Sequence, residues 1–377
     1  MTETYAIIAG GGTAGHVVPG LAIAEELVEQ GVPRDGVHYV GSARGIETRL
    51  VPEAGFPLTV LPGRGIQRRF TLENVRSAFG LVAAIVTGIR LVRRLRPAVV
   101  VGLGGYASVP CVIGAVLWRV PIVVAEQNAV PGAANRLAGR FAKACAVSFE
   151  GTDLPRATHT GNPVRPEVVA LGPPDPARRD AARARLSVPA DRTFLAAFGG
   201  SLGARRINEA ATDAANAWAE RDDLAMRHVS GSREHAATGA RLRLPESAAL
   251  VHQLVEYEDD MPSVYAAVDL VVCRAGASSV AELAVAGVPA VLVPLPWATG
   301  DHQTANARAM VEAGAAVLVP DAELDQERFV AEVGALLDDP DRRVAMARAA
   351  GRFARPDAAS AVVDLVFSHA RRPRPTT

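Results

Sequence analysis

Three glycine clusters each follow a short, uninterrupted apolar run, and this pairing limits the fold more than any other feature of the chain. The first is Gly10-Gly11-Gly12-Thr13-Ala14-Gly15-His16, after Tyr5–Ala9. The second is Gly102-Leu103-Gly104-Gly105-Tyr106, after Ala98–Val101. The third is Gly199-Gly200-Ser201-Leu202-Gly203-Ala204, after Phe194–Phe198. A strand covered on both faces reads as a continuous apolar run, and a helix between such strands makes them parallel. Further runs at Val37–Val40, Leu58–Leu61, Ile122–Ala125 and Ala144–Val147 extend a first sheet, and Ala225–Val229, Leu270–Cys273, Ala290–Val293 and Ala315–Val319 a second. A helical pattern over Val17–Gln30 follows the first loop, and Leu171–Arg192 reads as a linker with a surface helix. The 377 residues, 49% of them apolar, suffice for two cores. The expected fold is α/β, two Rossmann-like doubly wound halves whose ligands sit at the carboxyl ends of the strands, in a cleft between the halves.

Composition excludes several classes. Acidic and basic residues balance at 40 each, which gives no general pull toward nucleic acid. Cys111, Cys145 and Cys273 are scattered without CxxC spacing, which fits neither a disulfide framework nor a zinc site. The first residues lack a basic n-region, so no signal peptide is read there. Ala98–Trp118 is uncharged, but Gly102, Gly104, Gly105 and Pro110 punctuate it as strand, loop and helix.

Glycine lets a backbone approach a phosphate, and the following helix offers free N–H groups at its positive end. No loop reads GxxxxGK[ST], which disfavours a P-loop nucleotide hydrolase; a dinucleotide enzyme would leave the second half's loop without a role. In the second half, Cys273-Arg274-Ala275-Gly276-Ala277-Ser278-Ser279-Val280-Ala281-Glu282 ends a strand and starts a helix. A carboxylate at Glu282 can accept both hydroxyls of a ribose; it could equally only complement the helix dipole. With Ser201 and Asp301-His302-Gln303-Thr304-Ala305-Asn306 nearby, a nucleotide-sugar pocket is the better reading. His16, at the start of a helix, is a candidate general base or phosphate donor, and Glu126 a second candidate base. Glu126, Gln127 and Asn128 are expected to point into the cleft. Asp338-Asp339-Pro340-Asp341 and Asp259-Asp260 read as helix boundaries rather than as metal ligands, and no metal or cofactor is expected. Phe70–Arg96 is amphipathic. Arg64, Arg68 and Arg69 precede it, Arg90, Arg93, Arg94 and Arg96 close it, and Trp118-Arg119 is expected nearby; this suits either an anionic membrane face or an ordinary core-facing helix.

Taken together, Gly11–His16, Gly102–Ser108, Glu126-Gln127-Asn128, Gly161-Asn162-Pro163-Val164-Arg165, Gly199–Ala204, Cys273–Glu282 and Asp301–Asn306 resemble the MurG-type N-acetylglucosaminyltransferases of peptidoglycan synthesis, in the family's order and across residues 5 to about 320. The resemblance implies a GT-B fold and inverting transfer of GlcNAc from UDP-GlcNAc to the C4 hydroxyl of the muramyl sugar of lipid I, giving lipid II. It implies an acceptor and membrane-facing domain over 1–163 and a UDP-GlcNAc domain over 164–345. A helix over 346–370 would pack back on the first domain, and 371–377 would be a disordered tail. Arg165, Ser201, Arg274, Ala277, Ser278, Glu282 and Gln303 would hold the donor. Thr13, Ala14, Gly15, Gly104, Gly105 and Tyr106 would hold the acceptor's diphosphate. His16, Glu126, Asn128, Asn135 and Asn208 match positions the family needs for activity. Ala125 stands where members often have His, and Ala14 where many have Gly; the first change shifts weight to His16 and Glu126. The cytoplasmic face of the cell membrane would be the place of work, with cell-wall synthesis and division proteins as candidate partners. A UDP-GlcNAc 2-epimerase, a transferase with a soluble acceptor and an inactive sugar-nucleotide-binding subunit are the alternatives.

Overall fold

The structure is a computed structural model and describes residues 3–43, 45–62, 72–200 and 203–374, with side chains of the helix that begins at Leu72 described from residue 80. Ser201, Arg64, Arg68, Arg69 and Phe70 therefore lie outside the described residues.

Two units share the chain, Met1–Arg165 with Arg355–Thr377, and Pro166–Ala354. The first alternates strand and helix: β1 (Ala6–Gly10), α1 (Ala14–Glu29), β2 (Val37–Ser42), α2 (Glu47–Glu53), β3 (Leu58–Leu61) and α3 (Leu72–Leu95). It continues with β4 (Val99–Gly104), α4 (Ser108–Leu117), β5 (Ile122–Glu126), α5 (Ala133–Gly139), β6 (Ala144–Val147) and β7 (Ala157–His159). All pairings are parallel, in the order β3-β2-β1-β4-β5-β6-β7. The apolar runs are buried on both faces: Ile8, Tyr39, Val99 and Val101 pack on one side with α1, and Ile7, Ala9, Val100 and Val124 on the other with α3 and α4. Ala98–Trp118 is β4, a loop and α4, and no helix among the described residues is long and apolar enough to cross a membrane.

The second unit opens with α6 (Pro166–Val169) and α7 (Pro176–Arg185), then β8 (Thr193–Phe198), α8 (Arg205–Ala217), β9 (Leu224–Val229), α9 (His235–Arg241), β10 (Val251–Val255) and α10 (Met261–Ala267). It closes with β11 (Leu270–Cys273), α11 (Ala277–Ala286), β12 (Ala290–Leu292), α12 (His302–Glu312), β13 (Ala316–Leu318), α13 (Gln326–Leu337) and α14 (Pro340–Phe353). The order β10-β9-β8-β11-β12-β13, again parallel, repeats that of the first sheet.

The segment 346–370, expected as one helix, is two. Helix α14 stops at Phe353 because Pro356 cannot continue it and holds the residue before it out of helical geometry; Ala354 is already extended at ψ 149°. Helix α15 (Ala358–His369) then packs on α1, burying Val362, Val363 and Val366 in the first unit's core. Asp260 and Asp339, read as helix starts, do cap helices, accepting the N–H groups of Ser263 at 3.2 Å and Arg342 at 2.9 Å.

Candidate active site

In a doubly wound sheet the strand order reverses between the first strand and the fourth, and the crevice above that point receives ligands. The reversal lies between β1 and β4 in the first unit and between β8 and β11 in the second. The glycine loops follow β1, β4 and β8, and the Arg274–Glu282 segment follows β11, so every predicted loop stands at a switch point. Helices α1, α8 and α11 begin at Thr13, Ala204 and Gly276 without a side-chain cap. Asp175, Asp260, Asp325 and Asp339 cap four other helices, while α2, α4, α5, α9, α12 and α15 also start without a side-chain cap, so it is the place at the switch points that sets α1, α8 and α11 apart. Uncapped starts leave N–H groups for an anion.

In the first unit the two loops touch. A Cβ on Gly10 would lie 2.6 Å from that of Leu103, and one on Gly105 would lie 3.2 Å from the Gly11 carbonyl oxygen, so only glycine permits this approach. Thr13 and Ala14 are exposed and Gly15 half-buried at the start of α1. His16 is half-buried there, with Nδ1 3.2 Å from Thr13 Oγ1. Tyr106 donates its hydroxyl hydrogen to the carbonyl of Pro62 at 2.7 Å, with that of Gly80 at 3.3 Å, which ties the second loop to β3 and α3.

Glu126 and Gln127 do not open to solvent as expected; they are 3% and 2% exposed. The Glu126 carboxylate accepts the N–H of Asn128 at 3.0 Å, the N–H of Gly132 at 3.0 Å and the side-chain amide of Asn135 at 2.9 Å, with the Asn128 amide at 3.3 Å. Its acceptor positions are occupied, so it orders the turn after β5 instead of facing a substrate hydroxyl. Asn135 is 1% exposed and packs on Gly104, so the same network supports the second loop from beneath.

In the second unit Glu282 is buried and accepts the Tyr265 hydroxyl at 2.9 Å. Ala277 is buried in the first turn of α11. Arg274 pairs with Asp321 at 2.6 Å and donates to the carbonyls of Val293 and Pro294, holding together the loops after β11 and β12. Ser278 Oγ and Arg274 Nε are buried with no hydrogen-bond partner, which leaves two polar atoms of this segment for a ligand. Gln303, at the start of α12, accepts the Leu295 N–H at 2.9 Å. Arg165 is half-buried. Asn208, 2% exposed, donates to the Ser230 carbonyl at 2.8 Å and lies 3.1 Å from His228 Nε2. It fastens the start of α8 to the end of β9.

His228 is a buried partner of Asn208 that the sequence did not suggest. Asn208 spends an amide hydrogen on Ser230, so its Oδ1 accepts from His228 Nε2–H. Burial first, then His252 and His235, depress its pKa to about 3. The unfolded chain takes up this proton first as pH falls below the ordinary value near 6.5. The stabilisation is thus complete above that value and is lost as pH falls toward 3. Between pH 7.5 and 5.0, His228 should cost about 2 kcal/mol of unfolding free energy. Urea unfolding of the wild type and of His228→Gln at both pH values checks this; equal pH dependence in the two proteins contradicts it.

A separate surface lies on the first unit. Val82, Leu117 and Trp118 are 60%, 58% and 41% exposed on α3 and at the end of α4. Arg93 stacks over the Trp118 ring at 5.1 Å, and with Arg90, Arg94 and Arg96 it lines a surface hollow of about 520 Å³.

A repeated Rossmann-like unit with a switch point in each sheet defines the two-domain GT-B class of fold. The glycosyltransferase family 28 N-terminal domain matches residues 6–147, and the family's C-terminal domain residues 194–362. A UDP-N-acetylglucosamine–N-acetylmuramyl-(pentapeptide) pyrophosphoryl-undecaprenol N-acetylglucosamine transferase from a Nocardioides species is 42% identical over 363 residues, 96% of this chain and 97% of that protein. The enzyme of the same name from Desulforudis audaxviator is 38% identical over 372 residues, again 96% and 97% of the two chains. The crystal structure of Acinetobacter baumannii MurG superposes with a TM-score of 0.75 at 30% identity, covering 97% of this chain and 99% of that one. The chain belongs to the MurG family. A UDP-GlcNAc 2-epimerase from Neisseria meningitidis, at TM-score 0.65 and 12% identity, shares the fold alone.

Proposed function

We propose that this chain is the inverting transferase that moves GlcNAc from UDP-GlcNAc to the C4 hydroxyl of the muramyl sugar of lipid I, giving lipid II with a β-1,4 bond. The observation that carries the reading is the doubled switch point. Helix starts without a side-chain cap stand at the reversal of both sheets, at α1 in the first unit and at α8 and α11 in the second, so each of two diphosphate-bearing substrates has an anion site. The donor falls to the second unit, where Glu282 takes the ribose hydroxyls and Ser201, Ala277 and Ser278 take the diphosphate. Gln303 completes the donor site, Arg165 serves it from the last residue before the second unit, and Arg274 holds its loops. The acceptor's diphosphate falls to Thr13, Ala14, Gly15, Gly104 and Gly105, with Tyr106 fixing the second loop. His16 is the base that removes the C4 proton as the sugar bond to UDP breaks. Glu126, Asn128, Asn135 and Asn208 shape the loops. Inversion needs only this single displacement, and the helix starts stabilise the departing diphosphate.

The arginine hollow beside Val82, Leu117 and Trp118 supports peripheral attachment to an anionic leaflet at the cytoplasmic face, where the undecaprenyl tail of the acceptor stays in the membrane. Cell-wall synthesis and division proteins are the partners such a location brings near.

Labelled UDP-GlcNAc incubated with a lipid I analogue tests the reading. Transfer to the lipid supports it. Isomerised donor without transfer would mark an epimerase, and binding without turnover a recruiting subunit. Glu282→Ala should weaken UDP-GlcNAc binding by about 1–3 kcal/mol, the cost of losing a charge-assisted hydrogen bond in a buried site. Isothermal titration measures it, and an unchanged affinity removes the ribose role.

A further inference from the structure

One buried carboxylate remains without a part in this chemistry. Glu47 is the first residue of α2 and is fully buried. Its two oxygens lie 3.1 and 3.0 Å from the Gly12 nitrogen, whose N–H they share. Oε1 also accepts the N–H of Ser42 at 2.7 Å and the Ser42 hydroxyl at 2.8 Å. Three separate segments make room for it. Gly11 lies in the first glycine loop, Gly41 in β2 and Gly45 before α2, and a Cβ on any of them would overlap the Glu47 side chain. A cage of this kind is more than a helix start needs, because a carboxylate that only complemented the dipole of α2 could do so from the surface.

We propose that Glu47 is a positioning residue for the acceptor diphosphate, acting through the Gly12 peptide. Gly12 is exposed and sits at φ +95°, one residue before the uncapped start of α1. By taking the Gly12 N–H inward, Glu47 fixes how the peptides after it turn. The amides that open α1 then face outward as a preformed anion site. Bonds to an ionised acceptor are about twice as strong as neutral ones, which suits holding a glycine loop that would otherwise sample many conformations. Preorganisation of this sort lowers the ordering cost of binding and shows in affinity for the acceptor.

This inference rests on the reading that the first loop binds the acceptor. Glu47→Gln separates the two halves of the cage. The single remaining oxygen can keep the Ser42 donors, while the new amide opposes the Gly12 N–H. The expected result is an acceptor KM raised about tenfold, the size of one charge-assisted bond, with the UDP-GlcNAc KM close to wild type and a lowered melting temperature, because the new amide hydrogens are buried without an acceptor. Glu47→Asp, whose carboxylate falls short of Gly12, should act in the same direction and serves if the glutamine variant does not fold. Ser42→Ala leaves the Gly12 bond in place and should leave the acceptor KM near wild type. An unchanged acceptor KM in both Glu47 variants overturns the proposal, as does a matched rise in both substrates' KM. Gly12→Ala tells the two failures apart. If it raises the acceptor KM while the Glu47 variants do not, only the role of Glu47 falls. If Gly12→Ala also leaves the acceptor KM unchanged, the first loop does not hold the acceptor, and both readings fall.

Discussion

His16→Ala is expected to lower kcat by about 10²–10⁴-fold, the usual worth of a general base, while UDP-GlcNAc binds as tightly as before. The two effects separate because His16 belongs to the first unit and the proposed ribose ligand Glu282 to the second. The hydrogen bond to Thr13 makes the prediction sharper. With Nδ1 3.2 Å from Thr13 Oγ1, Nε2 can take a proton only in the tautomer that carries its hydrogen on Nδ1 and donates it to Thr13. Thr13→Val removes the hydroxyl that holds the ring without changing the shape much, so the imidazole loses its orientation and kcat should fall by about tenfold. Steady-state kinetics with a lipid I analogue, paired with calorimetric UDP-GlcNAc binding, checks both variants. Near-normal turnover in His16→Ala removes the base role. A large loss of donor affinity would mean that the histidine acts on binding instead of proton transfer.

The sheets were legible because each inner strand is an apolar run closed by glycine or by a helix start. Ala144–Val147 and Leu270–Cys273 are the strands the sequence predicts, residue for residue, and so is the apolar edge strand Leu58–Leu61. Two strands carry no such signal. Edge strand β7 is Ala157-Thr158-His159 and largely exposed, and β10 includes His252 and Gln253 and is only half-buried. Both lie at the ends of their sheets, where one face need not be apolar. Helix α1 starts at Ala14, three residues before the pattern predicts, because Gly15, Pro19 and Gly20 weaken its helical signature while packing secures it. The binding loops were legible for the same reason as the strands, since glycine after an apolar run is a local signal. Burial of polar groups was not. Glu47 looks like a surface residue beside Thr48 and Arg49, and its cage forms only when Gly11 and Gly41 are brought to it by β1 and β2. Glu126 was visible as the residue after a strand, yet its partners Gly132 and Asn135 become meaningful only once the turn is closed.

Glu126→Ala is expected to cost about 2–4 kcal/mol of stability, and this cost distinguishes a structural carboxylate from a catalytic one. The largest part comes from Asn135. Its side chain is 1% exposed, so the amide hydrogen now bonded to Glu126 would find no water, at about 1–3 kcal/mol for a buried donor left unpaired. The N–H groups of Asn128 and Gly132 add less, because Gly132 is exposed and Asn128 half-buried, and solvent can replace the lost acceptor. Glu126→Gln should fall between, since one oxygen is kept while the new amide meets donors on the other side. Urea unfolding of the three proteins measures the order. Activity should fall with stability for a stated reason: Asn135 packs on Gly104, so its release disturbs the second loop and raises the acceptor KM more than it lowers kcat. A base would behave in the opposite way. Glu126→Gln would then be as stable as the wild type, with a normal KM for both substrates and a collapsed kcat. That outcome would return the proton to Glu126 and leave His16 as a ligand of the diphosphate.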